Sequence, residues 1–233
     1  APATTAAPAQ EESSSAPDGV FKLAIFQDPA TQNLFKWYDT DTDAYSLYQM
    51  TGQSVSLFGI SYPNYTLIPS MATELIETST DNGDGTFSYT VPIVEGYEWS
   101  DGNPITAQDW VFTYNTAKGL PLLGQWAAVW PSNCEVECVT NVEAVDAYTV
   151  KISFNYDPGL TGWQYGAALA PALSKAYWEQ FATSREDLLA VSGAEAPVAS
   201  AFVYDKIEQG AFYTWSYDPD TMYFGGETTN YAN

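Results

Sequence analysis

A mixed α/β fold, arranged as an α+β lobe without regular βαβ alternation, is the architecture this sequence predicts, and three observations predict it. Residues 86–91 and 148–154 alternate apolar and polar side chains with the period of a half-buried strand. Between them, Ala107, Trp110, Val111, Tyr114 and Ala117 recur at helical spacing behind a capping signal. Hydrophobic residues make up 45% and aromatics 15% of 233 residues, enough apolar area for a core, which excludes global disorder. That length allows one large domain or two small ones.

Taken in order, residues 1–19 are rich in Ala, Pro, Ser and Thr, with Glu11 and Glu12 and no large apolar residue. They cannot bury surface to offset ordering entropy and read as a flexible tether, leaving 20–233 as the folded lobe. Order is expected from Val20: residues 20–26 form an apolar run between Gly19 and Asp28-Pro29, which suits a buried strand. Asp43 is placed to cap a segment over 44–50. Residues 67–75 read as a helical turn begun by Pro69. Asp81-Asn-Gly-Asp-Gly85 is a hairpin signal between residues 74–80 and the strand at 86–91. Residues 97–104 read as a strand end entering a tight turn, where Gly102 suits an unusual backbone and Asp101 bonds its own turn. Thr106 and Asp109 then form a capping-box pattern, and Gly119 and Pro121 stop the helix. In 148–154, Val150, Ile152 and Phe154 share one face. Residues 174–181 and 183–191 look like two short helices, and 201–217 like a strand, the Gln209-Gly210 turn and another strand. No internal repeat is present.

Composition excludes several functions. Lys and Arg number 7 against 29 Asp and Glu, net −22, a surface that repels nucleic-acid phosphates and anionic lipids. With no histidine, Ser–His and Cys–His nucleophile systems cannot be built, and the commonest metal ligand is missing. Cys134 and Cys138, in Cys-Glu-Val-Glu-Cys, make half a zinc site at best; a short-range disulfide across a turn in an oxidising compartment is expected, with free thiols the alternative. No run approaches the ~20 apolar residues of a membrane span.

The wording of the elements says more. Residues 95–112, Glu-Gly-Tyr-Glu-Trp-Ser-Asp-Gly-Asn-Pro-Ile-Thr-Ala-Gln-Asp-Trp-Val-Phe, resemble the signature of family 5 extracytoplasmic solute-binding proteins of ABC importers. There a strand ends in Gly-x-x-Trp-x-Asp-Gly, and Pro-x-Thr-Ala-x-Asp-Val opens a helix; Trp99, Asp101, Gly102, Pro104, Thr106, Ala107, Asp109 and Phe112 match. Residues 67–72, 84–89, 145–152, 209–212 and 217–226 are similar to further family segments, so the resemblance runs from about 20 to 226. Val94 and Glu95, Trp110, and Pro171-Ala-Leu-Ser174 depart from it. The resemblance implies a periplasmic-binding-protein-like class II receptor with two hinged lobes, of which this chain is most of the first. It further implies capture of oligopeptides or similar small solutes in an interlobe cleft, and delivery to ABC permease subunits at the membrane. No catalytic residue, metal or cofactor is expected, and no nucleic acid; the protein is expected to be a monomer outside the cytoplasm, tethered as a lipoprotein. Family chains are substantially longer, so this one is expected to stop near the crossing to the second lobe.

Candidate ligand contacts follow from position and residue type. Gln27 and Asp28, after the first strand, lie where family members line the cleft. Trp126 and Trp130, and Trp163 and Tyr165, sit among small residues and suit a binding wall, although Trp126 and Trp130 also have ordinary core spacing. Asp39, Asp41 and Asp43 have the 1-3-5 spacing of a calcium loop, but Ala44 and Met50 replace its Gly and Glu. Asn64-Tyr-Thr66 is a glycosylation sequon. Two other classes are alternatives: a cell-surface adhesin or structural module, which would share the acidity, the tether and the aromatics, and a secreted glycan-active enzyme, for which 29 acidic residues offer pairs but no pattern selects one.

Overall fold

The computed structural model describes residues 22–50, 52–130, 138–200, 202–208 and 210–217. The expected tether and Cys134 lie outside them.

The chain starts with two short helices, α1 (Leu34–Asp39) and α2 (Ala44–Gln49). Asp43 caps α2, its Oδ1 accepting the Tyr45 and Ser46 N–H groups at 2.9 Å. A small hairpin follows, β1 (Phe58–Ile60) with β2 (Leu67–Pro69). Next come β3 (Thr80–Asp81) and β4 (Phe87–Pro92), then α3 (Ala107–Gly119) and α4 (Gln125–Val129). A second pair, β5 (Val139–Asp146) and β6 (Thr149–Phe154), completes one four-stranded antiparallel sheet in the order β3-β4-β6-β5. Alternation builds it: Val150, Ile152 and Phe154 are buried, and the register sets Val91 opposite Val150 and Tyr89 opposite Ile152. The Asp-rich turn forms as predicted, with Asp81 Oδ1 accepting the Gly83 N–H and Asp84 Oδ1 the Thr86 N–H.

Helix α3 buries Ala107, Trp110, Tyr114 and Ala117, and the Tyr114 hydroxyl donates to the Val139 carbonyl at 3.0 Å, tying the helix to β5. Beyond the sheet lie a π-helical turn (Leu160–Gln164), α5 (Lys175–Trp178), α6 (Arg185–Ala190) and a closing hairpin of β7 (Phe202–Glu208) and β8 (Phe212–Tyr217). The fold is the mixed α+β lobe expected.

Two expectations are corrected. Residues 22–26 are not a buried strand: Leu23 is 57% and Phe26 97% exposed, and no described strand pairs with them. An apolar run becomes a strand only when a neighbour takes its N–H and C=O groups. Residues 67–75 are not a helical turn. Leu67 pairs with Ile60 and Pro69 with Phe58, and the N–H groups of Ser70, Met71 and Ala72 donate to the carbonyls of Leu57, Ser56 and Leu57 at 3.0 Å. With those donors engaged by residues 56–57, no helical ladder can form.

Candidate functional site

The segment after Phe26 is bonded to α2 through Ser46 and is fixed from three sides. The Ser46 hydroxyl accepts the N–H groups of Ala30 (2.9 Å) and Thr31 (3.2 Å) and donates to the Asp43 carboxylate. Buried Asn33 caps α1 through its oxygen (Lys36 N–H, 3.1 Å), and its Nδ2 donates to the Leu188 and Val191 carbonyls at 2.8 and 2.9 Å. Gly193, at φ 75°, lies so close that a Cβ there would stand 2.2 Å from the Gln32 carbonyl oxygen. Only glycine fits that approach.

These contacts shape a cleft of about 300 Å³ bounded by Pro29–Gln32 on one side, Leu189–Ser192 on another, and Lys36, Gln49 and Tyr213. Tyr213, on β8, donates its hydroxyl to Asp28 Oδ1 at 3.0 Å. Partial burial and the Asp28 carboxylate push the Tyr213 phenol up to about 12, so it stays a neutral donor. Lys36 is the cation on this wall, and it is paired with Asp41 at 2.8 Å; that hydrogen bond holds the Asp41 carboxyl below its ordinary value. The wall therefore presents amide and hydroxyl groups, with its one ammonium already engaged.

Of the predicted contacts, Gln27 and Asp28 are exposed and neither lines the cleft; Asp28 touches it only through its bond to Tyr213. Trp126, Trp130 and Trp163 are not cleft walls: each is 1% exposed, inside the core. Trp126 packs on Phe35 (centroids 5.2 Å) and donates to the Phe35 carbonyl at 3.0 Å. Trp130 meets Tyr114 edge-on, and Trp163 stacks on Tyr89 at 3.6 Å and 7° while donating to the Ile76 carbonyl. The glycines beside Trp163 mark close packing, not an open wall; a Cβ on Gly162 would reach 2.1 Å from the Tyr156 hydroxyl. Tyr165 is 51% exposed but lines the β1–β2 turn, donating to the Tyr65 carbonyl at 3.1 Å, and takes no part in the cleft. Cys138 is buried and disulfide-bonded, and Cys134, the other half of the expected bridge, falls outside the described residues. Sequence reasoning missed Tyr213, Gln49 and the 189–192 edge, because no local pattern marks a contact between residues 28 and 213.

The calcium-like acidic run resolves into three separate jobs. Asp39 is buried against Arg185 and the Leu123 N–H, Asp41 pairs with Lys36, and Asp43 caps α2. Among the described residues no group of three or more His, Cys, Asp or Glu side chains could hold a metal ion.

The signature window builds a second, smaller hollow of about 260 Å³ between α3 and α5. Its turn closes through the Trp99 N–H to the Asn103 carbonyl and the Gly102 N–H to the Trp99 carbonyl, both 2.8 Å, with Gly102 at φ 81°. Thr106 and Asp109 form the capping box, Asp109 Oδ2 accepting the Thr106 N–H at 2.9 Å. Asp109 Oδ1 accepts the Lys175 N–H at 2.8 Å, so one buried carboxylate starts both helices. Burial lifts its pKa to about 6, against the lowering effect of those bonds.

A model of the bacterial extracellular solute-binding proteins, family 5 (Middle), matches residues 66–231, well over half of the chain. The chain belongs to this family. Curated proteins offer no significant match. Among solved structures, this family 5 chain is similar to the periplasmic oligopeptide-binding protein of an oligopeptide ABC transporter from Thermotoga maritima, with a TM-score of 0.64 at 20% identity over 85% of this chain and 33% of that one. The same Thermotoga protein bound to mannohexaose gives 0.63 at 22% identity, again over 85% and 33%. An ABC transporter-associated periplasmic binding protein, DppA, from Helicobacter pylori in complex with the peptide STSA gives 0.57 at 16% identity, over 84% and 38%. These likenesses establish a shared fold, that of transport binding proteins. The chain spans about a third of the length of the structures it matches.

Proposed function

We propose that this chain forms most of the first lobe of the solute-capturing component of an ABC importer. The protein works outside the cytoplasm and delivers its closed complex to membrane permease subunits. The observation that carries this reading is the cleft bounded by Pro29–Gln32, Leu189–Ser192 and Tyr213, within the fold of a family whose members are extracellular binding proteins. In this reading Gln27 and Asp28, just before the lining at Pro29, serve as first-lobe contacts, a role supported for Asp28 by its bond to Tyr213. Residues 1–19 serve as the tether, and Cys134 with Cys138 as a short bridge. Amide and hydroxyl groups on the wall suit backbone-type hydrogen bonds to a peptide or hydroxyl contacts to a sugar. Because Lys36 is engaged by Asp41, the solute group held here is neutral or positively charged, and any ligand carboxylate is met elsewhere.

The relatives from Thermotoga maritima and Helicobacter pylori are bound to mannohexaose and to a peptide, so both classes belong in the test. Full-length protein is screened by thermal shift against short peptides of varied charge and against oligosaccharides. At least one neutral or basic ligand is expected to raise the melting temperature, since binding to the folded state alone stabilises it. No shift across the whole panel would remove the binding-protein reading.

A further inference from the structure

Capture in the cleft leaves one sequence feature unused, the sequon Asn64-Tyr-Thr66. It is the single Asn-x-Ser/Thr pattern in the chain, and the structure puts it at the tip of the β1–β2 hairpin. Residues 61–66 close a tight turn: the Ser61 N–H donates to the Thr66 carbonyl and the Tyr65 N–H to the Ser61 carbonyl, both at 2.8 Å. Asn64 is exposed, and its carboxamide has no hydrogen-bond partner among the described residues. The Thr66 hydroxyl is also at the surface, 2.7 Å from Ser61 Oγ.

What surrounds Asn64 is unusual for a surface turn. Tyr62, two residues before it, is 85% exposed, and Tyr65, the residue after it, is 55% exposed, their ring centroids 5.9 Å apart and edge-on. Tyr65 is the one described non-glycine residue at positive φ, 56°, a conformation that L-residues rarely adopt. It is held there by Gln164 Nε2 (2.9 Å) and the Tyr165 hydroxyl (3.1 Å), both donating to its carbonyl. The turn therefore displays an exposed acceptor amide two residues from an uncovered aromatic ring. A ring face left this open has apolar area to gain by covering, and the C–H face of a pyranose is a chemically suitable cover.

We propose that Asn64 is an N-glycosylation site whose first sugar packs on Tyr62. Asn64 Nδ2 attacks the anomeric carbon of a saccharide carried on a polyprenyl phosphate or diphosphate. The N–C bond forms as the C–O bond to phosphate breaks; the lipid phosphate leaves with the electron pair, and one amide proton passes to a base of the transferase. The acceptor must face the compartment outside the membrane, as an extracellular family requires.

The test is mass spectrometry of full-length protein from its native host, mapping the peptide that contains Asn64. A saccharide increment on Asn64 is expected, lost in N64Q and in T66A, which keeps the asparagine, and retained in T66S. An unmodified Asn64 would overturn the proposal, and so would an increment that survives T66A. Packing on Tyr62 is read separately: enzymatic removal of the glycan should lower the melting temperature of the parent, and the drop should disappear in Y62A. An equal drop in both would place the sugar off the ring. Asn64 does not line the cleft, so N64Q should bind ligand as the parent does, which keeps this outcome distinct from that of the capture reading.

Discussion

Asp39 and Gly193 show how single residues hold the cleft in shape. The Asp39 side chain has no exposed surface, and its carboxylate joins the end of α1 to the Leu123 N–H before α4 and to Arg185 at the start of α6. Removing Arg185, the chain's one arginine, leaves that carboxylate buried and half-satisfied. Loss of one partner of a fully buried pair costs about 3–5 kcal/mol; Arg185 is 40% exposed, so water can replace part of it, and we expect Arg185→Ala to cost about 2 kcal/mol in urea unfolding. Arg185→Ala combined with Asp39→Asn should recover part of the loss. A single-variant cost within about 0.5 kcal/mol, the range of ordinary surface changes, would show that Asp39 is not anchored this way. Gly193→Ala must relieve a 2.2 Å contact with the Gln32 carbonyl and hold a side chain at φ 75°. It is expected to destabilise the protein by more than about 1 kcal/mol and to weaken ligand binding at least tenfold, because the wall it displaces is Pro29–Gln32. Binding at parental strength would mean that this wall does not contact the solute.

At the scale of elements, Asp109 is the coupling point between α3 and α5, and its raised pKa gives that coupling a pH signature. The folded-state value, about 6, lies above the ordinary carboxylate value, so as pH falls the folded protein takes up this proton first. Its contribution to stability is full below about pH 4 and fades as pH rises through about 6. Asp109→Asn carries a neutral side chain throughout, so its deficit against the parent should be greatest near pH 4 and shrink by pH 7, measured by denaturant unfolding at each pH. A constant deficit would mean that Asp109 titrates normally. This helix start was legible in the sequence because caps are local: Asp43 and Thr106 with Asp109 each act within three residues. Strand β6 was legible because its alternation is unbroken. Strand β5 was not, since register shifts at Val139/Asn141 and Ala144/Asp146 break its period. Residues 67–75 misled because Pro69 reads as a helix opener when its partners, residues 56–60, are invisible to a local window.

For the molecule as a whole, charge and long-range contact dominate. With net −22, five of the seven described cations (Lys36, Lys151, Lys175, Arg185 and Lys206) pair with a carboxylate, and most described acidic side chains face water among like charges. Such self-repulsion is screened as the Debye length falls from ~10 Å in 0.1 M salt to ~3 Å in 1 M, so the melting temperature should rise over that range of sodium chloride. A fall would mean that the ion pairs outweigh the repulsion. The family signature was legible because its turn and capping residues are contiguous, and it carried fold class and family together. The cleft was only half legible. Position pointed to Gln27 and Asp28, but Asp28's partner Tyr213 is 185 residues away, and tryptophan content pointed to Trp126, Trp130 and Trp163, which the core absorbs. The most direct test of the account is hydrogen–deuterium exchange of full-length protein with and without a ligand found in the thermal-shift panel. Slowed exchange across residues 27–33, 189–193 and 212–214 is the predicted result. Protection that leaves all three segments unchanged would contradict the assignment of this cleft as the first-lobe binding wall.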